Sequence, residues 1–170
     1  MNKQIYDFIC EIIKEQKEIV FVGIGTPRSY LDSIGPRICS ELIKHYPNVY
    51  GTMIDPIHAL CLETRHKQIK EKHPNANIIA IDAMVSDILG KIIAANGAIK
   101  PGAGVGKHLE PIGNHCIKIA TVSKGQECYL RDTFLSLSSE GETLRDNLET
   151  NVSVISRAII QALKDNKNII

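Results

Sequence analysis

A chain of 170 residues, 44% hydrophobic and 23% charged with a formal net charge of +1, can bury a core and has ordinary globular composition. The near-zero charge argues against nucleic acid or an anionic membrane as partner; without tryptophan and with 5% aromatics, a base-stacking surface is not expected either. Cys10, Cys39, Cys61, Cys116 and Cys128 are scattered with no CxxC spacing. They read as free thiols filling core space in a reducing cytoplasm, not as a disulfide framework or a zinc site.

The opening segment, Asn2 to about Gln16, sets Ile5, Phe8, Ile9, Ile12 and Ile13 at helical spacing, which predicts an amphipathic helix and no signal peptide. Ile19 to Ile24 is a short, unbroken, β-branched run, the pattern of a strand buried on both faces of a parallel sheet. A loop from Gly25 to Ser33 leads to a helix carrying Ile38, Cys39, Leu42 and Ile43, with Pro36 suited to its first turn. Asn48 to Thr52 reads as a short strand, Pro56 to Lys72 as a polar helix, and Ile78 to Ile81 as a third strand. The order α-β-α-β-α-β predicts a doubly wound α/β sheet. Two more strands are expected over Gly90–Ala95 and His115–Val122, and a closing helix from about Leu144 to Lys164. No repeat, linker or run of membrane-span length interrupts the pattern, so one domain over 1–170 is the expected organisation.

Several sequence features invite chemistry and fail on spacing. Pro101 to Lys107 is glycine-rich, but Pro101 stands where a Walker A loop needs glycine and His108 where it needs a hydroxyl. Gly23-Ile24-Gly25 has Arg28 where a dinucleotide fingerprint needs its third glycine. The six histidines form no HExxH or zinc-like spacing, and His58 and His66 are expected on the solvated face of the polar helix. No serine or cysteine has a nucleophile signature. No metal and no cofactor is therefore expected.

Asp32 and Asp82 remain. Each follows a run that reads as a buried strand, and parallel sheets bind ligands at the edge where those strands end. Their plain roles are a helix N-cap for Asp32 and a turn cap for Asp82. Their chemical role requires adjacent strands: two carboxyls within reach of one water share a proton, one acting as base and the other as acid. That is enough to hydrolyse an amide.

Gly23-Ile24-Gly25-Thr26, Ser29, Asp32-Ser33-Ile34-Gly35-Pro36, Tyr50-Gly51-Thr52, Pro56-Ile57-His58-Ala59, Ala80-Ile81-Asp82-Ala83, the block from Lys100 to Lys107 and Pro111-Ile112-Gly113 together resemble the YyaC-type sporulation proteins of spore-forming Firmicutes. The likeness runs from about Ile19 to Val122. That family is similar to the spore germination protease and, more distantly, to hydrogenase maturation proteases. The resemblance implies a phosphorylase/hydrolase-like three-layer α/β/α sandwich with a mostly parallel central sheet. It also implies a catalytic pair at Asp32 and Asp82. Hydrogenase maturation proteases carry a second acidic residue directly after the first aspartate, used on nickel; Ser33 stands there, so nickel-dependent maturation is not expected. The germination protease is about twice this length, so its precursor control is not expected to carry over.

The expected function is that of a cytoplasmic aspartate-type peptidase acting on a protein or peptide, and the resemblance implies the forespore or mother cell as its setting. Thr26, Ser29 and Ser33, with the backbone at Gly102, Gly104 and Gly106, are the expected substrate-orienting groups. The alternative is a non-catalytic sporulation factor that keeps the fold as a protein-binding module. The oligomeric state is open.

Overall fold

The computed structural model describes residues 2–101, 110–124 and 139–167, with the backbone alone at 139 and 140. The isoleucine stripe near the N-terminus forms α1, Lys3–Ile13, with Ile5, Ile9, Ile12 and Ile13 buried. Asn2 caps it, its side chain accepting the Ile5 amide at 3.1 Å, an interaction worth about 1 kcal/mol. Burial of the four isoleucines, at about 1.5–3 kcal/mol each, docks the helix.

The apolar runs become the parallel strands β1 (Ile19–Gly23), β2 (Val49–Tyr50), β3 (Asn77–Ser86) and β5 (His115–Ser123). The strand β4 (Ile92–Asn96) pairs antiparallel with β5 at the sheet edge, and the sheet order is β2-β1-β3-β5-β4. Three further helices are α2 (Ile34–Leu42), α3 (Leu62–Lys72) and α4 (Ser139–Asp165).

Alternation along the strands sorts the core into two layers. Phe21, Ile79, Ile81, Ile117 and Ile119 face α1, α2 and α4. Val20, Val22, Ile78, Ala80 and Cys116 face α3, with Ile57, Ile99 and Ile112. The result is a three-layer α/β/α sandwich with a mostly parallel sheet. None of the described helices is long and apolar enough to cross a membrane.

Three expectations change. The helix expected from Pro56 begins at Leu62, because Ile57 is drawn to the sheet instead. It bridges Ile24 in parallel, and its carbonyl accepts the Gly25 amide at 2.9 Å. His58 therefore precedes the helix rather than lying on its solvated face. The strand expected to stop at Ile81 continues to Ser86, because β5 still pairs with it there. Among the cysteines, Cys39 and Cys116 are buried but Cys10 and Cys61 are only half-buried; Cys128 lies outside the described residues.

Candidate active site

The connection from β1 to β2 runs through α2 on one face of the sheet, and that from β2 to β3 through α3 on the other. The strands β1 and β3 are adjacent, but from β1 the chain goes on to β2 at one edge of the sheet and from β3 to β4 at the other. The crevice where β1 stops beside β3 is the switch point of the sheet, where doubly wound proteins bind ligands.

The strand β1 ends there and β3 does not. Gly23 pairs with Ile81, and the Ile24 amide donates to the Ile81 carbonyl at 2.8 Å. From Asp82 onward β3 has β5 on one side and the crevice on the other. Asp82 follows Ile78 and Ala80 on the α3-facing side, and it is 7% exposed. It sits within the strand, not past its end, so it caps no turn. Burial and the negative charge of Asp32 push its carboxyl up to about 8, against smaller opposite effects of the Ala83 amide and Lys118. Asp82 is thus an acid that keeps its proton at neutral pH.

The loop after β1 brings Asp32 to the same place. Gly25 has φ +139°, a conformation that β-carbon-bearing residues rarely adopt, and Asp32's own carbonyl occupies the space where a side chain would project. The chain then forms a 3₁₀ turn, Leu31–Ser33, packed on β3 and β5. Asp32 lies half-buried in it, and its Oδ2 accepts the Thr26 amide at 2.9 Å. The N-cap position of α2 belongs to Ser33, which makes no side-chain capping bond, so the carboxylate of Asp32 folds the loop back on itself instead of capping the helix.

Gly35 allows this close approach. A Cβ there would lie 2.6 Å from the Ile24 carbonyl oxygen and nearer still to that of Ile81. The first turn of α2 thus rests directly on the end of β1 and the middle of β3.

The other expected residues divide. Thr26 is half-buried, its amide on Asp32 and its hydroxyl accepting the Arg28 amide at 3.3 Å. Ser29 is half-buried on the same loop, its amide donating to the Thr26 carbonyl at 3.2 Å. Ser33 is fully buried; its hydroxyl donates to the Tyr30 carbonyl at 2.6 Å and accepts from Arg37 Nε at 2.9 Å. Gly102, Gly104 and Gly106 lie outside the described residues.

Neighbours not among the expected site residues also adjoin this loop or Asp82. Arg37 stacks over the Tyr30 ring at 4.4 Å and pairs with Glu149 of α4 at 3.0 Å, while the Tyr30 hydroxyl donates to Glu149. This ties α4 to the loop that carries Asp32. His58 lies next to Ile57, with its Nδ1 3.8 Å from Cys61 Sγ. Lys118 stands across from Asp82 in the β3–β5 register. A lysine inside Cys116-Ile117-Lys118-Ile119-Ala120 was the available sequence signal, since a buried strand rarely carries a charge without cause.

Residues 1–137 match a family model described as "Protein of unknown function (DUF1256)". The chain is 35% identical over 163 residues to the Bacillus subtilis protein YyaC, covering 86% of this chain and 80% of that one. It is 26% identical over 133 residues to the germination protease of Clostridium perfringens, covering 66% of this chain but only 41% of that protein. In three dimensions it is similar to the [NiFe] hydrogenase maturation protease HycI from Thermococcus kodakarensis. The TM-score is 0.55 at 17% identity, over 89% of this chain and 97% of the other. That similarity establishes a shared fold. Ser33, directly after Asp32, has its hydroxyl committed to the Tyr30 carbonyl and Arg37. Among the described residues no three His, Cys, Asp or Glu side chains gather as metal ligands. The chain belongs to the DUF1256 family, and its fold is peptidase-related.

Proposed function

We propose that this member of the DUF1256 family is an aspartate-type peptidase of sporulating cells, with Asp32 and Asp82 as its water-activating pair. The observation that carries the reading is the contrast between the two acids in the β1–β3 crevice. Asp82 is buried and holds its proton, while Asp32 is half-exposed and bonded to an amide N–H as a carboxylate would be. Such a pair divides the work of amide hydrolysis. Asp32 takes one proton from a water as the water oxygen bonds to the scissile carbon, and Asp82 gives its proton to the carbonyl oxygen. Asp32 then passes its proton to the nitrogen as the carbon–nitrogen bond breaks, and Asp82 recovers its own from the collapsing diol. Thr26 and Ser29 flank Asp32 and are proposed to orient the peptide. Ser33 is proposed to act from beneath by fixing the turn. The Gly102, Gly104 and Gly106 backbone remains the proposed oxyanion or substrate contact. Kinship with YyaC and the germination protease supports the sporulation setting.

The test is incubation of the purified full chain with a random-sequence peptide library, read by mass spectrometry for new chain ends. Wild type is expected to cut, and Asp32→Asn and Asp82→Asn to lose about 10²–10⁴ of the rate while folding normally. Unimpaired cutting by either variant removes the dyad. No cutting by the wild type leaves the non-catalytic binding module in its place.

A further inference from the structure

Lys118 occupies an unusual position for a lysine. It is half-buried in the middle of β5, between the fully buried Ile117 and Ile119. Those two point toward α1, α2 and α4, so Lys118 points to the opposite face with Cys116. Asp82 points to that face as well, and the two residues are register partners in the parallel β3–β5 pair. Neighbouring strands lie about 4.8 Å apart, so the two side chains rise side by side from the sheet.

Among the described residues the Lys118 ammonium makes no ion pair and no hydrogen bond. Every lysine pair within 4 Å here involves other, exposed groups. A cation held partly out of water without a partner is costly. Its expected partner, Asp82, stands across from it in the register but beyond 4 Å, so the two are neighbours that do not yet form an ion pair.

We propose that Lys118 is a working member of this site, the counter-charge for the carboxylate left on Asp82 each time that acid gives up its proton. The inference rests on the acid role assigned to Asp82 above, and it adds the group that makes the role repeatable. A buried acid parts with its proton reluctantly because the resulting anion is poorly solvated. With an ammonium on the neighbouring strand, the anion forms in the field of a positive charge that favours it. Three formal charges then meet in the crevice. Asp32 opposes ionisation of Asp82 and Lys118 favours it. Lys118 acts through Asp82 and is a positioning residue, not a catalytic one.

The experiment is a carboxyl ¹³C NMR titration of Asp82 in the full-length protein, with wild type, Lys118→Met and Lys118→Arg compared. It needs no turnover, so it is decided separately from the peptidase reading. The expected result is an upward shift of the Asp82 midpoint by about one pH unit in Lys118→Met, with Lys118→Arg close to wild type. If the peptide assay shows cutting, Lys118→Met is also expected to lower kcat at least tenfold with KM little changed, and to move the alkaline limb of the pH profile upward. An Asp82 midpoint unchanged in a folded Lys118→Met overturns the proposal whether or not the protein cuts peptides. A midpoint that moves in a protein that cuts nothing leaves the charge pair standing and removes the dyad alone. Should Lys118→Met not fold, Lys118→Gln provides the same loss of charge, and the same criterion applies to it.

Discussion

The two halves of β3 differ in what surrounds them. From Asn77 to Ile81 the strand pairs with β1 throughout and with β5 from Ile79, all five residues are buried, and Ile78 to Ile81 are core. From Asp82 to Ser86 it has lost β1, a bulge at Met84 and Val85 loosens its register with β5, and exposure rises after Asp82. Nothing in the backbone separates the halves, since one extended strand runs through both. The site arises where a neighbouring strand stops while its partner continues. The last buried position before solvent is then free to hold a carboxyl instead of a methyl group.

The comparison can be broken from either side. In the first half, Ile79→Ala empties a fully buried position and is expected to cost about 2–5 kcal/mol in urea unfolding, with the acids at the crevice untouched. A loss below about 1 kcal/mol would mean that this half is not the packed core described here. At the boundary, Gly35→Ala drives a methyl group against the end of β1 and the middle of β3. About 1–3 kcal/mol of stability is expected to go. If the protein cuts peptides, activity is expected to fall more steeply than stability, because α2 must lift and Asp32 moves with it. Equal stability and activity to wild type would show that the approach at Gly35 is not needed.

The second half is tested by pH. The folded carboxyl of Asp82 is raised to about 8 from an ordinary 3.8. Between those values the folded protein keeps a proton that the unfolded chain has lost, so stability falls as pH rises and levels off above about 8. The slope is at most about 1.4 kcal/mol per pH unit. Asp82→Asn is expected to remove that slope. What remains should have the opposite sign below about pH 6.5. Burial holds the imidazole of His115 below its usual range, with Glu15 opposing and Lys17 reinforcing that effect. Stability present above the ordinary imidazole value is then lost on acidification. Unfolding curves from pH 5 to 9 for the two proteins check both signs. An identical slope in Asp82→Asn would mean that Asp82 is not the buried acid described here.

Most elements were legible in the sequence because their patterns are local. The isoleucine stripe of α1, the unbroken runs of β1 and β3 and the spacing of Leu148, Val152, Ile155 and Ile159 in α4 each report the periodicity of one element. Where the reading slipped, a distant partner had intervened. Pro56–Cys61 has helix-compatible composition, but Ile57 gains a bridge to Ile24 by staying extended. The second half of β3 is too polar to announce a buried strand and is held by β5, whose Lys118 to Ser123 pair with Asp82 to Ser86.

The sequence by itself determined the two-layer burial, the parallel core of the sheet and the identity of the acids, because side-chain type and spacing are properties of the chain alone. Only the tertiary structure decided what those acids face. It ended β1 one residue short of Asp82, turned Asp32 back onto the Thr26 amide and set Lys118 beside Asp82 on the same face. Register, strand length and proximity are relations between segments far apart along the chain. The shift of the Asp82 carboxyl from an ordinary acid to one that keeps its proton follows from them, since burial and a neighbouring charge exist only once the segments have met.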